Sequence, residues 1–159
     1  MHIDTVRFGQ VEIDEGRVLT FKGGLPGLEE HETFAILQLE EGNPIVWLQC
    51  TTDAGVCLPV VDAFVIEPGY VFDLSDEDVA ALSLQSPEDL HVLSVLVIPE
   101  NIQAMTVNLA APIVINMKTN QARQTILGGN EWGVRAPAFA KICQALKGGD
   151  SHAGTQPED

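Results

Sequence analysis

Histidines, cysteines and a dense run of carboxylates are the residues of this chain that could do chemistry. Nucleophilic catalysis needs a Ser or Cys beside a His that takes its proton, and an acid that orients the His. His2, His31, His91 and His152 are scattered over a strand start, a loop, a strand and the C-terminal tail, outside any G-x-S-x-G, H-E-x-x-H or Cys–His pattern. They read as solvent-facing or structurally bonded. Cys50, Cys57 and Cys143 are odd in number and lack C-x-x-C spacing, which suits reduced thiols. Cys50 and Cys57 are expected in strands as small buried apolar side chains. Asp76-Glu77-Asp78 lacks the bend glycine and terminal glutamate of a calcium loop. Gly23, Gly24 and Gly27 lack dinucleotide spacing and any surrounding βαβ unit, so they read as a turn. The residues point to no catalytic, cofactor-binding or metal-binding group.

What remains is charge. From Gly23 to Met117 the chain carries no Lys and no Arg, while its acids run from Glu29 through Glu100. The net charge is −15, yet apolar residues make up 45% of the chain, so the stretch reads as a folded body with a negative surface. Such a field draws in a basic partner and turns nucleic acid away, which excludes direct phosphate binding by this chain alone. The candidate partner-binding residues are the densest acids, Asp73, Asp76, Glu77, Asp78, Glu88 and Asp89. Glu29 and Glu30, in the loop from Gly24 to Glu32, join them. For Asp76 to Asp78 there is a second reading, complementing a helix dipole. Trp47, between Val46 and Leu48, reads as core; Trp132, in a loop, stays open between core and exposed anchor.

The elements that position these residues are mostly strands. Met1 to Phe8, the alternation around Val11 and Ile13, and Arg17 to Phe21 predict a three-stranded meander. Further strands are expected at Thr33–Leu39, Ile45–Thr51, Val56–Val61, Ala63–Ile66, Leu90–Ile98, Met105–Ala110, Pro112–Asn116 and Gln121–Leu127. One helix interrupts them, from Ser75 as N-cap to Leu84, with acids filling its first turn. Ser86-Pro87-Glu88-Asp89 repeats the start signal for a turn or so. The expected fold class is mostly β, a small antiparallel β-barrel-like single domain with one short inserted acidic helix and a C-terminal helix. The expected division is a β domain over 1–137, a helix over 138–147 and a disordered tail over 148–159.

At 159 residues the chain suits one domain, burying roughly two-thirds of its unfolded surface. The N-terminus lacks the basic start and apolar block of a signal peptide, and Val92 to Pro99 is too short to span a bilayer. A cytoplasmic location is expected.

Thr106-Val107-Asn108-Leu109-Ala110-Ala111-Pro112-Ile113-Val114-Ile115-Asn116, with Arg123, Gln124 and Leu127 after it, closely resembles the signature of the flagellar assembly factor FliW family. Phe8-Gly9, Val11-Glu12-Ile13, Gly24-Leu25-Pro26-Gly27-Leu28-Glu29, Trp47-Leu48-Gln49, Val60-Val61-Asp62-Ala63-Phe64 and Leu74-Ser75-Asp76 match other family segments in order. The resemblance covers roughly residues 1–137. Departures are Ala63 for a common proline, Ala122 for a usual glycine and Ala136 for a frequent histidine. The resemblance implies a non-enzymatic cytoplasmic regulator, a flagellin-binding chaperone without cofactors. When free of flagellin, it binds and antagonises CsrA, the RNA-binding translational repressor, and so relieves repression of flagellin translation. The competing classes are a small cytosolic β-barrel enzyme acting on a basic or metal-bound substrate, and a β scaffold without exchangeable partners.

Overall fold

In the strand Val18–Phe21 (β3), Leu19 and Phe21 are buried while Thr20 faces solvent, the period-2 pattern that lets one face join a core. The same rule builds the molecule, a computed structural model that describes residues 1–38, 40–129 and 131–152. Leu39, the expected end of a strand, and residues 153–159 of the expected tail lie outside the described residues.

His2–Thr5 (β1) and Gly9–Glu12 (β2) form an antiparallel hairpin of their own. β3 does not extend it into the expected meander. A 3₁₀ turn at Glu15–Arg17, capped by Asp14, carries the chain away, and β3 pairs instead with Thr33–Leu37 (β4). Ile45–Cys50 (β5), Cys57–Asp62 (β6) and Leu90–Val97 (β7) follow as antiparallel neighbours. Thr106–Val107 (β8) pairs with the end of β7 and with Ala136–Pro137 (β11). Ile113–Asn116 (β9) lies between β7 and Gln121–Gln124 (β10), and β10 runs parallel to β3. The β7–β9 and β10–β3 pairings close a barrel of β3, β4, β5, β6, β7, β9 and β10. Closure removes the free edges that would otherwise template association.

Three apolar clusters explain why several strands are apolar throughout. Leu19, Phe21, Phe34, Leu48, Val60, Leu93, Ile113 and Ile115 fill the barrel, with the Phe21 and Phe34 rings edge-to-face at 5.4 Å. Their strand neighbours Val61, Val92 and Val114 point outward into a second cluster, under the helical side of the molecule. β6, β7 and β9 are therefore buried on both faces. The hairpin β1–β2 covers a third cluster, in which Trp47 packs edge-on against Phe8 at 5.5 Å beneath the Arg7 guanidinium.

Ala63–Ile66, expected as a strand, is a short helix (α1). Its β-branched residues pointed to a strand, but the Asp62 side chain accepts the Phe64 N–H at 2.9 Å and the Glu67 N–H closes on the Ala63 carbonyl. Asp76–Ala81 (α2) starts at Ser75 as expected. Phe139–His152 (α3) begins after Pro137, which lies in β11, and runs past Lys147, longer than the 138–147 helix read from sequence. Ala122 occupies a regular strand position opposite Ile115 and Phe21.

Candidate protein-binding site

The acids expected to meet a partner divide into two groups. Asp78 is 6% exposed, and its carboxylate accepts the Thr125 hydroxyl at 2.6 Å and lies 3.3 Å from Arg123 Nε. It serves to bind α2 to the barrel. Asp89 also turns inward, 3.7 Å from Lys118 Nζ, with its side chain only 15% exposed. Asp73, Asp76, Glu77 and Glu88 are exposed, as are Glu29 and Glu30. Glu77 approaches Arg123 at 3.6 Å, but with 82% of its side chain exposed the pair is screened and weak.

α2 is held rigidly beneath these acids. Ser75 Oγ accepts the Asp78 N–H at 3.1 Å, and Asn116 donates its side-chain N–H to the Leu82 carbonyl at 2.8 Å. Leu82 itself is buried, and Ser83 turns into the left-handed region at φ 53 to end the helix. Glu88 follows in a 3₁₀ turn, where Ser86 Oγ accepts its N–H.

Between this acidic ridge and α1 lies an open apolar cleft of about 490 Å³, which sequence reasoning missed. Phe64, Val71, Phe72, Leu74, Leu84 and Pro87 supply most of its wall, and the exposed Asp73 lines it with them. Val71 is 68% and Phe64 45% exposed, large apolar side chains that a monomer covers where it can. The floor is firm. Tyr70 donates its hydroxyl to the Leu109 carbonyl, and Trp132 stacks edge-on against it at 4.8 Å. Trp132 Nε1 donates to the Val71 carbonyl at 2.9 Å, so this indole is a half-buried strut as well as a surface residue. Burial pushes the Tyr70 phenol up to about 12. A second trough shares Val71, Phe72 and Asp73 and continues to Leu127, Glu131 and Trp132. Among the described residues, those lining either hollow include acids but no Lys, Arg or His.

Glu29 and Glu30 sit apart, in a loop that its glycines shape. Gly24 takes φ +76, and a Cβ there would lie 2.5 Å from the Glu29 Cα. Glu29 accepts the Gly27 N–H at 3.0 Å, and that backbone bond, with its own N–H, holds its carboxyl below the usual range.

A family model described as FliW protein matches residues 2–138. The chain belongs to the FliW family. A flagellar assembly factor FliW of Thermosipho africanus is 35% identical over 130 residues, covering 81% of this chain and 90% of that relative. The flagellar assembly factor FliW of Bacillus subtilis is 33% identical over 143 residues, covering 90% of this chain and all of that relative, 100%. A crystal structure of the flagellar assembly factor FliW superposes with a TM-score of 0.81 at 29% identity, over 87% of this chain and 97% of the other. The FliW family model ends one residue before α3 begins, so the last helix lies wholly outside the matched segment.

No group of three or more His, Cys, Asp or Glu side chains among the described residues converges as a metal site would require. Cys50, Cys57 and Cys143 are free thiols, and burial raises the Cys57 thiol against the opposing charge of Arg7. No described helix is long and apolar enough to cross a membrane.

Proposed function

We propose that this FliW-family protein works by binding in the cytoplasm rather than by catalysis. It holds flagellin, and when flagellin leaves it captures CsrA and relieves repression of flagellin translation. The observation that carries this reading is the cluster of exposed acids, Asp73, Asp76, Glu77 and Glu88, on a chain of the FliW family. A protein that grips RNA must present Lys and Arg to phosphates, and these acids complement such a surface. Docked beside the RNA groove, a body of net charge −15 also repels phosphates, which antagonises RNA binding without filling the groove.

The acids share the work unequally. Asp73, Asp76, Glu77 and Glu88 face the partner, with Glu29 and Glu30 adding to the field, while Asp78 and Asp89 act from within by fixing the elements that carry them. Purified flagellin and purified CsrA, each titrated against this protein, test the reading. Both are expected to bind, and flagellin to displace CsrA. Failure of both to bind would refute it.

A further inference from the structure

We infer that the apolar cleft between α1 and α2 receives the apolar side of an amphipathic segment whose flanks carry Lys or Arg. The inference rests on the protein-binding reading above and names the chemistry of what the site takes. The cleft has the capacity of an anchor pocket, about 490 Å³, inside the ~300–1,000 Å³ range typical of ligand sites. Its exposed wall residues Phe64 and Val71 gain by leaving water, and rigid aromatic neighbours such as Tyr70 and Trp132 hold the wall in place before anything binds.

Charge selects the occupant. Asp73 lines the cleft, Glu88 is exposed beside its wall residue Pro87, and Glu131 lines the adjoining trough. Lys118 and Arg123, the cations nearest in sequence to the residues lining the cleft itself, pair with Asp89 and Asp78, while Arg135 stands exposed three residues beyond Trp132 of the adjoining trough. An apolar segment with basic flanks therefore meets apolar wall and acid rim together. A second copy of this chain would bring another charge of −15 against that rim. The chain's own last residues, Ala153-Gly154-Thr155-Gln156-Pro157-Glu158-Asp159, offer acids and no large apolar side chain. An anionic membrane is repelled for the same reason as nucleic acid.

The test uses the full chain and two helix-forming peptides, each with Leu along one face. One has Lys at both ends, the other Glu. The chain has two tryptophans, so its nitrogen–proton spectrum shows two indole signals, a built-in locator. The Lys-flanked peptide is expected to bind and shift the Trp132 indole while leaving that of Trp47, in the hairpin-covered cluster, in place. The Glu-flanked peptide is expected to bind at least tenfold more weakly. Val71→Asn, at a 68% exposed position whose backbone carbonyl still accepts the Trp132 N–H, is expected to weaken the Lys-flanked peptide about tenfold without lowering Tm. Equal binding of both peptides, or binding that Val71→Asn leaves unchanged, overturns the inference. So does self-association of the chain that Val71→Asn abolishes, because the occupant is then a second copy. If neither peptide binds while flagellin or CsrA still does, the cleft is wrong and the proposed function stands. If the peptide binds but neither protein does, the proposed function fails and the cleft stands.

Discussion

The Thr125 hydroxyl donates to the Asp78 carboxylate at 2.6 Å, joining α2 to the segment just past β10 across 47 residues of sequence. This bond, with Arg123 on the other carboxylate oxygen, makes an apparently surface-type acidic run part of the scaffold. Thr125→Val keeps the shape and removes the donor. A hydrogen bond to a buried charged group contributes about 1.5–3 kcal/mol, and thermal unfolding should show a loss of that size. Asp76→Asn, exposed and merely favourable to the helix dipole, should lose no more than about 1 kcal/mol. Equal losses would mean that Asp78 is not specially bound.

Gly24 and Gly23 both adopt positive φ, +76 and +83, but only Gly24 faces a wall, the Glu29 backbone. Gly23→Ala should cost about 1–2 kcal/mol for the left-handed conformation alone. Gly24→Ala adds a backbone clash that cannot relax by a side-chain rotation, so its denaturation midpoint should fall well below that of Gly23→Ala. Matching midpoints would show that the loop moves freely.

Tyr70 predicts alkaline behaviour. Its folded pKa is raised to about 12 from an ordinary value of 10.0, so below pH ~10 both states are protonated and its contribution is intact. Above that the unfolded state releases its proton first, and stability should fall by up to about 1.4 kcal/mol per pH unit until about pH 12. Tyr70→Phe removes this step and leaves the Leu109 carbonyl without its donor, costing about 1–3 kcal/mol at neutral pH. Parallel pH–stability profiles for the two proteins would contradict the assignment.

How much of this was legible in the sequence depends on range. Ser75 and the acids after it marked α2 because a cap is a local pattern, and Leu19 and Phe21 marked β3 because alternation is local too. Ala63–Ile66 misled because β-branched residues argue for a strand, although Asp62 was a capping signal available one residue earlier. Barrel closure was invisible: β3 meets β10 and β7 meets β9 across long stretches of chain, which leave no periodicity behind. The departure of β3 from the hairpin was hidden for the same reason. At the site, exposure separated Asp73 and Glu88 from Asp78 and Asp89 only once Thr125, Arg123 and Lys118 were in place. The cleft draws Phe64, Val71, Leu84 and Pro87 from separate segments, so no motif announced it.

The association rate of this protein with CsrA, followed across ionic strength, is the most direct test of the proposed role of the exposed acids on the α2 face. For the unaltered chain the rate should fall about tenfold or more from low to high salt, as electrostatic steering is screened. Asp73→Lys with Glu88→Lys reverses two exposed charges that no ion pair holds among the described residues. It should flatten that dependence and weaken binding about tenfold, or ~1.4 kcal/mol, with Tm unchanged. An association rate indifferent to salt, or full affinity in the folded double variant, would contradict the account.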